Sequence, residues 1–321
     1  MQSRSVVVKV KHPWVDVEIR RGTRILRMFQ WLGFLKWVDV DAFMESIYTQ
    51  ADFMREAKTL ETMYDVYRDD GMIIIPECLQ YDDRVIVMTE ELGEAYNECD
   101  LSPYQKVCVA TTLACFQNQN MTSVGKLHGD LHYGNWKLRD KSKIVVYDFG
   151  LCIDVDPELG KKWLKTYIQN DTEGIVDLCW TQSKQHEHCK DIDDDVQIKS
   201  LTRKLSRYLK KPPDAKLILD AVTDEMNKCG RKLNSTLLNF MISMIVTEKV
   251  LNIVTRSVRK ETTSEENGNS YVGVCMDNIS FCKAKGTCKM LQRVLEQDIE
   301  EYEVRTMFGR TKMSENGIVC D

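Results

Sequence analysis

The stretch LHGDLHYGNWKLRDKSKIVVYDFG at 127–150 carries three oxygen-bearing side chains, Asp130, Asn135 and Asp148. Trp136-Lys137-Leu138 reads as a short strand and Lys143 to Tyr147 as its hairpin partner, so a loop, a hairpin and a second loop would gather all three at one end. Such a set suits phosphoryl transfer. One carboxylate accepts or orients the proton of a nucleophile, while an amide oxygen and a second carboxylate hold Mg2+ on phosphate oxygens. A plainer reading makes the same residues caps or turn formers.

The spacing is the specific part. An Asp, four residues, an Asn and then Asp-Phe-Gly after a β-branched run match a kinase catalytic loop and metal loop, with His-Gly-Asp in place of His-Arg-Asp. His128 reads as a scaffold residue whose ring holds the metal loop. His132 reads as structural at least as well as catalytic. Upstream, Lys9 lies on an expected strand and Glu56 on an intervening helix, in the chain order that chemistry requires.

These residues need elements to hold them. SVVVKVKH is a β-branched run of the kind found in a mostly buried strand, closed by His12-Pro13. A lone charge in such a run needs a partner, although an ordinary edge-strand lysine would look the same. From about Asp41 to Tyr67 the pattern is helical, with Asp41 as N-cap and no Gly or Pro inside. Tyr48, Asp52 and Glu56 then share a face, and Asp52 competes with Glu56 for Lys9. MIIIP at 72–76 and RVIVMTEEL at 84–92, around Asp82-Asp83, read as a hairpin. A helix follows from Ser102 as cap, with Pro103 in its first turn.

Beyond Asp154 the pattern is helical. LTRKLSRYLKK comes first, then AKLILDAVTDEMNKCG with a glycine stop, a buried helix at 237–254, and KMLQRVLEQDIEEYEVRTMF at 289–308. RKETTSEENGNS between the last two reads as a polar loop. The expected class is therefore α+β, a protein-kinase-like two-lobe fold. Residues 1–92 form a reduced N-lobe of lysine strand, long helix and hairpin. Residues 93–258 form a mainly helical C-lobe with the catalytic and metal loops, and 259–321 a polar loop, helix and tail.

VVVKVKHPWVDVEIR, QADFMREAKTLETM, IIIPECLQYDDRVIVMTEEL, LHGDLHYGNWKLRDKSKIVVYDFG and KLNSTLLNFMISMIVTEKVLNIV resemble successive blocks of the UbiB-like atypical kinases, also called aarF-domain kinases, over about residues 5 to 255. The resemblance implies that Lys9 contacts the α- and β-phosphates of ATP and pairs with Glu56. It places Asp130 at the transferred phosphoryl group, with Asn135 and Asp148 as magnesium ligands. It also makes Thr89, Glu90, Glu91 and Leu92 the hinge, where backbone groups receive adenine.

The chain departs from that family where it opens almost at the lysine strand, without the two preceding strands, their alanine-rich loop, or the Lys-x-Gly-Gln extension. Gln50-Ala51-Asp52 stands where the family has Glu-x-Asp. Two missing charge-assisted hydrogen bonds, at about 1.5–3 kcal/mol each, would weaken nucleotide binding by roughly a hundredfold or more. The chain is then a fragment, or one completed by a protein partner, or catalytically silent. Beside a phosphotransferase or ATPase with an unknown acceptor stand two alternatives. One is a pseudokinase scaffold, and the other a small-molecule kinase resembling aminoglycoside or choline phosphotransferases.

Composition excludes some classes. With 44 basic and 49 acidic residues among 321, a net charge of -5 gives no field to recruit nucleic acid or anionic membrane. The N-terminus lacks the apolar run of a secretion signal, and twelve scattered cysteines fit a reduced, cytoplasmic setting. The 237–254 run is interrupted by Glu248 and Lys249, so no uninterrupted transmembrane span is expected. HEHC at 186–189 lacks well-separated ligand pairs, and Cys275, Cys282 and Cys288 are irregularly spaced, so neither reads as a metal site.

Overall fold

The computed structural model describes residues 5–31, 44, 47–169, 171–185, 194–208, 215–228 and 230–262, together with the backbone of 303–306, 309–314 and 317–319. In chain order its elements begin β1 (Val6–Val10), α1 (Val15–Trp31), α2 (Phe53–Tyr67), β2 (Ile73–Ile74), β3 (Cys78–Tyr81), β4 (Val85–Thr89) and α3 (Pro103–Gln119). Next come β5 (Lys126–His128), β6 (Trp136–Arg139), β7 (Lys143–Val146), β8 (Cys152–Asp154), α4 (Pro157–Gln169), α5 (Thr172–Thr181) and β9 (Ser183–Gln185). Then follow α6 (Asp194–Tyr208), α7 (Ala215–Lys228), β10 (Arg231–Leu233), α8 (Ser235–Thr262), and β11 to β13 (Glu303–Thr306, Gly309–Ser314, Gly317–Val319). HEHC and the three late cysteines lie outside the described residues.

The chain folds into two compact units. The first takes 1–96 and 134–152, the second 97–133 and 153–321. In the first, β4 is the middle strand of an antiparallel sheet ordered β1-β4-β3, and Lys9 lies opposite Ile86. The β-branched run leads one to expect a mostly buried strand, but β1 is an edge strand. Val6, Val8 and Val10, all on one face, are about half exposed, and among the described residues β1 has β4 as its one neighbour in that sheet.

Two further expectations are corrected here. The helix is not continuous from Asp41 to Tyr67. The Asp52 backbone is extended, and its side chain accepts the Arg55 N–H, so α2 starts at Phe53. A self-capping Asp outcompetes one more helical turn because it satisfies an otherwise orphaned N–H. Asp41 lies outside the described residues. The 72–76 run is not the hairpin partner of β4 either. β3 takes that place, while β2 pairs in parallel with β7, Ile73 opposite Ile144. A short apolar run states that it is buried, not which strand it joins. The β6–β7 hairpin forms as expected, Trp136 opposite Val146, and Trp136, Leu138, Ile144, Val145 and Val146 are buried.

The second unit is helical around one apolar core. Met121, Leu127, Trp163, Ile175, Leu178, Leu201, Leu205, Val222, Phe240 and Met241 contribute to it, with the Trp163 and Phe240 rings edge to face at 5.0 Å. α3 begins with a capping box, Ser102 and Gln105 exchanging backbone N–H bonds, and Pro103 follows at its start. Its far end loosens into a π turn over 120–124 that stops at Gly125, whose φ of 74° lies in the left-handed region. β5 follows directly. Gly230, with φ 61°, follows α7 and confirms the glycine stop. Within α8, Ser235–Val254 is long and apolar enough to cross a membrane, yet half of it is buried in the fold. Residues 303–306 form strand β11 rather than the end of a helix, paired with β12.

Candidate functional site

The first unit brings Lys9, Glu56 and Asp148 together. Lys9 projects from the face of β1 that it shares with buried Ile86. Its Nζ donates to Glu56 Oε1 at 2.6 Å and reaches Asp148 Oδ1 at 3.4 Å, with the Phe53 ring centroid 5.5 Å away. Glu56 stands in the first turn of α2, where the helix dipole favours an anion. Asp52 is the cap of that turn, so the competition for Lys9 resolves to Glu56. The Glu56 side chain is 2% exposed and that of Lys9 34%. Burial pushes the Glu56 carboxyl above its ordinary 4.5, against the pull of Lys9. Its Oε2 is buried, and the Phe149 backbone N–H also favours its anion.

Asp148 and Asn135 flank the open end of the β6–β7 hairpin. Trp136 pairs with Val146, so Asn135 and Tyr147 are the next opposed residues, joined by Tyr147 N–H to Asn135 O at 3.1 Å. Asp148 follows, its Oδ1 accepting the Gly150 N–H at 2.9 Å. A methyl on Gly150 would stand 3.2 Å from that oxygen and 3.4 Å from Glu56 Oε2, so glycine lets the two carboxylates share this corner. The half-exposed Asp148 carboxylate is a hard oxygen donor of the kind Mg2+ takes, and Asn135, at the mouth of the same hairpin, would add an amide oxygen. Among the described residues no three His, Cys, Asp or Glu side chains form a metal cage by themselves. A cation here would need phosphate and water oxygens as well.

The expected hinge, Thr89 to Leu92, is strapped to the same hairpin. The Arg139 guanidinium donates to Glu91 Oε2 at 2.8 Å and to Leu92 O at 2.9 Å, and the Tyr147 hydroxyl donates to Glu91 O at 2.8 Å. Thr89 Oγ1 accepts the Glu77 N–H and donates to Glu91 Oε1. Glu90 N–H goes to Ser5 O. Burial pushes the Tyr147 phenol up, which keeps it a donor. Arg139, Tyr147 and Phe53 escaped sequence reasoning. The one signal was their adjacency to motif residues, since strand partners fix their roles.

Asp130 belongs to the second unit. It follows β5 in a turn, partly exposed, with its Oδ2 3.4 Å from His132 Nε2. His128 is buried, and its Nδ1 accepts the Asp130 N–H at 3.2 Å, so its ring holds the turn that carries Asp130.

A lysine salt-bridged to a helix glutamate, beside the aspartate of Asp-Phe-Gly, is kinase-like architecture, and comparison with known proteins agrees. The ABC1 atypical kinase-like domain model matches residues 1–178, more than half of the chain. The chain belongs to the ABC1 atypical kinase-like family. An uncharacterized chloroplastic aarF domain-containing protein kinase of Arabidopsis thaliana is 27% identical over 165 residues, 48% of this chain and 23% of its own length. The chain thus spans about a quarter of that curated relative. Among solved structures, Mycobacterium tuberculosis Rv3197, determined with erythromycin, aligns with a TM-score of 0.52 at 18% identity, covering 79% of this chain and 68% of its own. That likeness supports the fold, a kinase-like α+β architecture in reduced form.

Proposed function

We propose that this ABC1-family chain binds Mg-ATP and transfers or hydrolyses its γ-phosphate. The observation that carries this reading is the 2.6 Å pair of Lys9 Nζ and Glu56 Oε1, with Asp148 Oδ1 at 3.4 Å from the same ammonium. A buried carboxylate aims a cation at the place where α- and β-phosphates would lie. Asn135 and Asp148 would hold magnesium, which neutralises charge on the phosphates when bound. Glu91 and Leu92, fixed by Arg139 and Tyr147, would present backbone groups to adenine. Asp130 would orient the acceptor hydroxyl or water. ATP turnover with magnesium tests this. Asp148→Asn and Lys9→Met should each lower the rate at least a hundredfold, and wild-type turnover no faster than that of Asp148→Asn would remove the catalytic reading.

A second reading, a pseudokinase scaffold, is favoured by the free edge that β1 has among the described residues. Its valines are exposed, and the one charge on the strand, Lys9, is engaged by Glu56 and Asp148. A protein strand added there would complete the first-unit sheet. Under this reading turnover equals the Asp148→Asn background, while Val8→Lys abolishes capture of the partner.

A further inference from the structure

α3 carries a polar side chain where its packing against α8 calls for an apolar one. Gln117, His128, Ser243 and Thr247 are each 1% exposed. The Gln117 carboxamide treats His128 as a neighbouring strand would. Its Nε2 donates to His128 O at 2.7 Å and its Oε1 accepts His128 N–H at 3.2 Å. Nε2 also reaches Thr247 Oγ1 at 3.0 Å and Ser243 Oγ at 3.3 Å. Ser243 Oγ donates a second hydrogen bond to His128 O at 2.7 Å, and Thr247 Oγ1 donates to Ser243 O. Ser243 and Thr247 stand one turn apart on α8, so both hydroxyls face the same point.

The strap continues through the imidazole. His128 Nδ1 accepts the Asp130 N–H at 3.2 Å. An acceptor nitrogen carries no proton, so the ring is held as the Nε2–H tautomer. Asp130 therefore hangs from two long helices through buried hydrogen bonds to His128 and one part-buried bond that its own N–H donates to the His128 ring. Burying an amide and two hydroxyls is costly unless every group is bonded, and apolar residues of equal size would pack two helices more cheaply. The bonds converge on His128 rather than on the helices themselves. That convergence marks a device for placing the next turn of chain, and Ser243 and Thr247 lie beyond the 1–178 match.

We propose that Gln117, supported by Ser243 and Thr247, is the positioning residue for Asp130, setting the height and tilt of its turn through His128. The proposal rests on the reading above in one respect, that Asp130 acts at the transferred phosphoryl group. The test uses Gln117→Met, which keeps length and loses both hydrogen-bonding ends, and the milder Ser243→Ala. Three measurements are made on the full chain: amide exchange across 127–133, the 15N shifts of the His128 ring, and kcat against KM for ATP.

In Gln117→Met, exchange at 127–133 should quicken at least tenfold, the His128 ring should become a mixture of tautomers, and kcat should fall tenfold or more with KM for ATP within twofold. Ser243→Ala should move each in the same direction, about threefold in rate. If Gln117→Met fails to fold, Ser243→Ala decides. Unchanged exchange and an unchanged tautomer in a folded variant overturn the proposal, as does a fall confined to thermal stability. If the wild type turns over no ATP, the phosphotransfer reading fails while exchange and tautomer still decide the positioning claim.

Discussion

Glu56 is the residue on which two opposed forces act most visibly. Burial disfavours its anion, the Lys9 ammonium favours it, and the balance leaves the carboxyl above 4.5. A raised native value means that the folded chain holds the proton more tightly than the unfolded one. Its contribution to stability is therefore complete below pH 4.5 and is lost as pH rises through the raised value. Glu56→Gln removes that titration. The urea midpoint of the wild type, relative to Glu56→Gln, should fall as pH rises from about 4 to about 8, and a constant difference would show that Lys9 fully offsets the desolvation. The Lys9 and Glu56 pairing was legible in part, since chain order and residue type narrowed the partner to Glu56 or Asp52 and the Asp52 cap then decides between them. The partners that shape the site were not. Phe53 under the ammonium, Arg139 and Tyr147 on the hinge, and Gln117 behind His128 are set by packing between segments far apart in sequence, which no local spacing encodes.

Elements are fixed by local chemistry where one residue decides and by tertiary contact where none does. The Ser102 start of α3, the β6–β7 hairpin and the Gly230 stop were all readable, since caps, alternation and left-handed glycine act over a few residues. The edge position of β1, the parallel pairing of β2 with β7, and β11 within an expected helix were not, because each depends on a partner strand. Gly160 on α4 shows how the two kinds of control compete. In a helix interior, Gly→Ala normally stabilises by up to about 1 kcal/mol. Here a Cβ would stand 2.5 Å from Met121 O and 2.7 Å from Met121 Cγ, at the π turn before β5. Backbone oxygen cannot yield cheaply, so steric overlap exceeds propensity. Gly160→Ala should lower stability by about 1–3 kcal/mol in urea denaturation, and an unchanged or raised midpoint would mean that α4 slides freely past Met121.

At the scale of the whole molecule, the stretch that carries the family signature and the stretch that makes a stable core do not coincide. Residues 1–178 contain all of the first unit, yet only part of the second. The core around Trp163 and Leu178 is completed by Leu201 and Leu205 on α6, Ile218 and Val222 on α7, and Phe240 and Met241 on α8. His128 O depends on Ser243. Cutting at 178 would remove the Phe240 ring that packs against Trp163 and leave Leu127 and Ile175 without the helices that complete their core. Each lost large side chain forfeits about 1.5–3 kcal/mol of burial, and native domains hold only about 5–15 kcal/mol in total. Six such losses, about 9–18 kcal/mol together, are as large as that whole margin. A chain ending at 178 should therefore bind a hydrophobic dye strongly and lose the near-ultraviolet circular dichroism of Trp163. Cys179 reports the same core from the other side. Burial pushes its thiol up to about 12 in the full chain, so it should resist alkylation at pH 8 in native protein and react fully once α6 to α8 are unfolded by denaturant. Rapid alkylation of Cys179 in the native chain would mean that the helices after 178 do not close this core.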